Sequence, residues 1–138
     1  MSNVTALREK AGDSEKITIN LGYVDLGRID LLVQEGFYSN RSDFIRTAIR
    51  NQLTAQSDAV SQSMVRHTLE LGLRDFSRDD LEAVRKARQK LHIKVVGLAR
   101  IAADVTPELA LATIGSITVL GALQASPSVR SALAERIH

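Results

Sequence analysis

Lys16, Thr18 and Asn20 alternate with Ile17, Ile19 and Leu21 in the stretch KITINL. Period-two alternation is the pattern of a strand with one buried and one wet face. The wet face presents an ammonium, a hydroxyl and a carboxamide in a row. These groups donate and accept hydrogen bonds, so they suit recognition rather than bond breaking. Nothing comparable is laid out for catalysis or metal binding. The chain has no Cys, and His67, His92 and His138 are far apart, without His-x₃-His spacing. No metal centre is expected from that set. Nucleophile-elbow, phosphate-loop and His-Glu-x-x-His patterns are missing, and Gly115-Ser116 is a fragment of the first without its flanking glycine. Asp79-Asp80 falls in the first turn of an expected helix, where carboxylates favour the helix dipole. The expectation is a protein that is not an enzyme and holds no cofactor.

Helical sequence follows the strand. Leu26, Ile29, Leu32 and Val33 share one face of a helix expected over about 25–34. Gly36 is placed to end it in a left-handed conformation. Ser39 or Asn40 then caps a second helix over about 41–53, with Asp43 three residues after Asn40 in a capping-box-like spacing. This helix carries Phe44, Ile45, Ala48, Ile49 and Leu53 on one side and Arg46 and Arg50 on the other. A lone strand cannot satisfy its own backbone groups. The two helices have apolar faces too wide to cover each other, and a unit of this size is below what a single core supports. A second copy resolves all three problems: two strands pair antiparallel about a twofold axis, and four helices close a shared core.

The strand, the helix and then EGFYSNRSDFIRTAIRNQL resemble the ribbon-helix-helix DNA-binding domain of the CopG/Arc/MetJ type, over roughly residues 15–53. The resemblance implies an intertwined dimer that inserts a two-stranded ribbon into the DNA major groove. It makes Lys16, Thr18 and Asn20 the base-contacting side chains. It also aims the backbone N–H groups near Ser39, Asn40 and Arg41 at a phosphate. Independent physics agrees. The major groove admits a two-stranded ribbon, Asn pairs with adenine and Lys with guanine, and a helix N-terminus binds phosphate. Ile17, Ile19, Leu21, Ile29, Phe44, Ile45 and Ile49 form the expected dimer core. Residues 1–53 hold seven basic and seven acidic side chains, so non-specific electrostatic affinity is expected to be modest.

The second half carries a repeat. TLELGLR (68–74), IKVVGLA (93–99) and ITVLGAL (117–123) align on Gly72, Gly97 and Gly121, spaced 25 and 24 apart. Each is followed by a helix start, at Ser77, at Thr106-Pro107 and at Ser126-Pro127. Thr106 lies four residues later in its unit than the other two caps, which places an insertion near 102–105. The helical faces are Leu81/Val84, Leu109/Ala112 and Val129/Leu133/Ile137. Strand–turn–helix at this period implies parallel strands joined by helical crossovers, stacked as a small solenoid. The last unit is poorly charged, and an end strand there would offer an apolar face and unpaired backbone to a second copy.

The fold class expected is α+β. Residues 1–15 are a flexible arm, 16–53 a ribbon-helix-helix domain, 54–66 a linker or helical extension, and 67–138 a βα-repeat assembly domain. Arg85, Lys86, Arg88 and Lys90 form a candidate second basic patch, against the commoner role of a solvated helix face. The 138 residues are 44% hydrophobic and 25% charged with a net charge of +2, a globular balance. The N-terminus MSNVTALREKAGDSEK lacks the apolar run of a signal peptide, and no window nears the ~18 apolar residues of a membrane span. A cytoplasmic, nucleoid-associated protein without a membrane partner is expected. The function expected is that of a bacterial-type, sequence-specific transcriptional regulator, a repressor, with double-stranded DNA and its own copies as partners. The alternative is an antitoxin or scaffold that binds protein and uses its ribbon for dimerisation only. A small-ligand sensor with a pocket at the strand ends is a competing use of the second half.

Overall fold

The computed structural model describes residues 14–138. The expected arm at 1–15 lies almost wholly outside them. The chain divides into two compact units, Met1–Ser61 and Gln62–His138.

In the first unit, residues 14–22 are exposed and belong to no helix or ladder among the described residues, so the strand expected over KITINL has no ladder partner there. Helix α1 spans Tyr23–Gln34 and helix α2 spans Arg41–Ala55. Gly36, at φ +86°, terminates α1. The Gly36 amide donates to the Val33 carbonyl and the Phe37 amide to the Leu32 carbonyl, both at 3.0 Å. This 5→2 and 6→1 pairing is the Schellman stop, for which glycine is the usual residue. Asn40 begins α2, and its side chain accepts from the Asp43 amide at 2.8 Å. Between the helices, the Tyr38 and Phe44 rings meet edge to face, with centroids 5.0 Å apart. Helix α3, Ser57–His67, occupies most of the expected linker and runs across the division between the units.

The second unit is built on three parallel strands, β1 (Glu70–Phe76), β2 (Leu91–Ile101) and β3 (Ile114–Gln124), in the order β1-β2-β3. Helices α4 (Arg78–Lys86) and α5 (Pro107–Thr113) make the crossovers, and α6 (Pro127–Ala132) follows β3. Each helix begins on its expected cap. Ser77 Oγ accepts from the Asp80 amide while Asp80 accepts from the Ser77 amide, a full capping box. Thr106 and Ser126 accept from Leu109 and Val129, with Pro107 and Pro127 in the first turn. The core lies between the sheet and these helices. Leu81, Leu109, Val129 and Leu133 pack there with Ile93, Val95, Ala99 and Ile117. Ala110 and Thr113, rather than Ala112, complete the inner face of α5.

Gly72, Gly97 and Gly121 stand side by side across the sheet, at φ +126°, +138° and +120°. A Cβ on Gly97 would lie 2.2 Å from the Gly72 carbonyl oxygen, and one on Gly121 2.1 Å from that of Gly97. Two requirements thus hold the middle and last glycines, a left-handed backbone and a neighbouring carbonyl.

Two expectations need correction. The edge of β3 is not bare. Ile137 forms a parallel bridge to Ile117, and the His138 amide donates to the Ile117 carbonyl at 2.8 Å. Ile137 is therefore a strand-edge cover, not part of a helical face. The second correction concerns the basic run. α4 stops at Lys86, where the Arg88 amide donates to Arg85 and the Gln89 amide to Val84, with Arg88 itself at φ +56°. Arg85, Lys86, Arg88 and Lys90 therefore do not share one helical face.

Candidate nucleic-acid interface and dimer groove

Lys16, Thr18 and Asn20 lie on the segment before α1, and all three are exposed. Their alternates are exposed too: Ile17 is 72% and Ile19 58% accessible. Residues that repeat apolar–polar with both sets in water mark a segment whose inner face lacks its cover.

That cover has a counterpart beside it. An open apolar groove of about 670 Å³ is lined by Ile19, Leu21, Ile29, Phe44, Ile45 and Ile49, together with Leu32 and Ala48. Six of the seven residues expected to form a dimer core thus meet around one concavity, and Ile17 lies outside it. Ile29 alone is buried within the chain. Phe44 and Ile45 are half-buried, and Ile49 and Leu53 are exposed. Asp25, Arg28 and Gln52 supply a polar margin to the groove that the apolar pattern gave no means of finding.

The loop entering α2 carries the expected phosphate contacts. The Ser39 amide donates to Asp43 Oδ2 at 2.9 Å, so Asp43 closes back on the residue before the cap. The Asp43 amide is taken by Asn40 and the Phe44 amide by the Asn40 carbonyl. The amides of Arg41 and Ser42, in the first turn, are those a helix leaves without an intrahelical acceptor. The Arg41 side chain is engaged elsewhere. Its Nε and Nη2 each donate to Asp30 at 2.8 Å, a bidentate brace from α2 to α1. The hydrogen bond from Arg41 holds the Asp30 carboxyl below its ordinary range, and the same bond raises Arg41. Sequence gave no sign of this pair, because its members lie eleven residues apart across a turn.

The basic run is partly spent on structure. Arg85 pairs with Glu82. Lys90 Nζ donates to the Leu111 carbonyl at 3.0 Å, where Arg136 also donates at 2.8 Å. Leu111 lies in the last turn of α5, whose carbonyls have no intrahelical donor and whose dipole attracts cations. Lys90 is thus a helix cap, and of the four only Lys86 and Arg88 make no side-chain hydrogen bond or ion pair among the described residues.

The remaining chemical fragments have structural roles. His92 Nδ1 lies 2.8 Å from Ser116 Oγ. The β2–β3 register slips at Leu91/His92, and Gly115 is the skipped residue, with the His92 ring against it. Among the described residues no group of three or more His, Asp or Glu could hold a metal ion, and no helix is long and apolar enough to cross a membrane.

No solved structure matches this chain. The uncharacterized protein MJ1679 of Methanocaldococcus jannaschii is 38% identical over 52 residues, which make up 38% of this chain and 52% of that protein. The chain spans about half the length of that curated relative. A profile of the Ribbon-Helix-Helix transcriptional regulator family matches residues 12–130, which takes in both units rather than the first alone. With an exposed segment of alternating polar and apolar residues, two helices and an uncovered apolar groove inside that match, the chain belongs to the Ribbon-Helix-Helix transcriptional regulator family.

Proposed function

We propose that the protein is a sequence-specific DNA-binding repressor that acts as a dimer, with residues 16–53 as the DNA-binding unit and residues 67–138 as a βα-repeat domain that associates with its own copies. The observation that carries this reading is the uncovered inner face of KITINL beside a groove lined by six of the expected dimer-core residues. Two chains would pair their segments as an antiparallel ribbon over a shared core. Lys16, Thr18 and Asn20 then face outward together, as a major-groove reader requires. The amides of Arg41 and Ser42 receive a backbone phosphate beside the Ser39–Asn40 cap. Lys86 and Arg88 supply a secondary backbone contact. Family membership supports DNA binding and dimerisation.

The test is selection of bound genomic fragments with wild type and with Lys16/Thr18/Asn20→Ala. The wild type is expected to enrich a small set of sites, and the triple variant to lose that enrichment while retaining dimer mass. Equal enrichment of the same sites would reject base reading by this segment. One observation favours a second reading. Residues 1–53 balance seven basic against seven acidic side chains, a poor match to a polyanion. In that reading the ribbon serves dimerisation and the protein is an antitoxin or scaffold. A dimer that enriches no genomic site would favour it.

A further inference from the structure

Among the described residues of the second unit, helices pack on one face of the three-stranded sheet only. On the other, the parallel register sets Leu71 beside Val96 and Leu120, and Leu73 beside Leu98 and Ala122. Leu71 is 72%, Leu120 60% and Leu73 45% exposed. Leu98, at the centre of the second row, is outside the core cluster although little of it is exposed. These six side chains form two adjacent apolar rows across every strand. A polar row borders them at the strand ends, where Arg100 Nε donates to Asp75 Oδ1 at 2.8 Å and Gln124 aligns with Arg100. Lys94 and Thr118 lie at the opposite border. An apolar centre within a polar margin is the anatomy of an interface core and rim. Solvated sheet faces ordinarily alternate to polar residues, so this face is built for a cover.

We infer that the cover is the same face of the partner copy within one dimer. The inference rests on the ribbon-helix-helix dimer and specifies how its repeat domains associate. Size decides the occupant. With strands about 4.8 Å apart and like-facing residues about 6.8 Å apart, six side chains cover on the order of 200 Å², against the ~800 Å² per partner of a free-standing interface. The face is too small to capture a separate molecule from dilute solution. A copy already tethered in the same particle is at millimolar effective concentration, where a weak contact closes. A dimer supplies one identical face per chain, and a self-complementary apolar patch satisfies the twofold rule that the same surface serves both sides. Two sheets meeting this way pack about 10 Å apart as a small sandwich. The edge of β3, bridged by Ile137, is not required.

The chain contains no cysteine, so single thiols report on this face without background. Leu71→Cys and Leu120→Cys are compared with Ala134→Cys, an exposed site outside the sheet. Labelling by a maleimide is followed on the purified full-length protein, with mass by light scattering and DNA binding on the same samples. In particles of dimer mass, the two face thiols are expected to react at least tenfold more slowly than Ala134→Cys. Adding Leu71→Lys to Leu120→Cys is expected to restore fast labelling while mass stays that of a dimer. Face thiols that label at the control rate in a dimer overturn the inference and leave the ribbon-helix-helix dimer standing. Protection found only in particles larger than a dimer, or only after another protein is added, also overturns it. A monomeric mass overturns the inference together with the dimer reading.

Discussion

At the residue scale, the glycine row shows two requirements that separate experimentally. Gly97 and Gly121 need both a left-handed backbone and space for a neighbouring carbonyl, whereas Gly72 has nothing within 4 Å of a Cβ position. Gly72→Ala carries the backbone penalty alone, about 1–2 kcal/mol. Gly97→Ala and Gly121→Ala add a backbone collision that no rotamer change relieves. They are expected to cost more than about 4 kcal/mol, in the range reserved for severe core damage. Urea midpoints of the three variants check this order, and equal losses at all three sites would contradict it. The Asp30–Arg41 brace provides a second residue-level expectation. Arg41 lowers the carboxyl in the folded chain, so the native state binds a proton less readily than the unfolded one. Its stabilisation is present above the ordinary carboxylate value of about 3.9 and is lost as pH falls through the lower folded value. Asp30→Asn is therefore expected to differ from wild type at pH 7 and to differ from it less at pH 3. Both members are exposed, so the difference is small. Denaturation curves at the two pH values measure it.

At the element scale, strand–helix boundaries follow from local chemistry. Ser77, Thr106 and Ser126 start helices because each side chain replaces a missing carbonyl for an amide three residues on. The stop of α4 is less economical. Arg88 sits at φ +56°, where a Cβ is disfavoured and glycine is usual. Arg88→Gly is expected to stabilise the second unit by about 0.5–1 kcal/mol, seen as a higher urea midpoint with unchanged slope. A lower midpoint would mean that the Arg88 side chain makes a contact worth more than its strain. The short helical pattern around Arg85–Lys90 reads as continuous in sequence, because charged residues favour helix and no Gly or Pro interrupts. The stop comes from the need to return the chain to β2, which periodicity does not encode.

At the scale of the whole molecule, the uncovered surfaces matter most. The groove between α1 and α2 and the helix-free sheet face are both apolar and both uncovered among the described residues. For the groove, Ile45→Asp is expected to give a monomer by light scattering and to abolish DNA binding. A carboxylate closed in among Ile29, Phe44 and Ile49 costs several kcal/mol to desolvate. If the variant stays dimeric at micromolar concentration, the groove is not the dimer core. The salt dependence of wild-type binding should also be shallow for a dimer, given the neutral first unit and few phosphate contacts.

Much of this was legible in the amino-acid order. The caps at Asn40, Ser77, Thr106 and Ser126, the Gly36 stop and the glycine period are local signals. Each depends on a few neighbouring residues and a backbone preference that survives any context. They determined where α1 stops, where α2, α4, α5 and α6 start, and that the three repeat strands run parallel. Other features needed tertiary structure because they join residues distant in sequence. Asp30 meets Arg41 across a turn, Lys90 and Arg136 converge on the last turn of α5, Ile137 returns to cover β3, and Gly115 becomes a bulge against His92. The exposed face is the clearest case. Leu71, Val96 and Leu120 are ordinary strand residues in sequence, and only the register between strands brings them into one row. Local pattern sets the direction in which a side chain points along its own element; which others point with it is set by packing between elements.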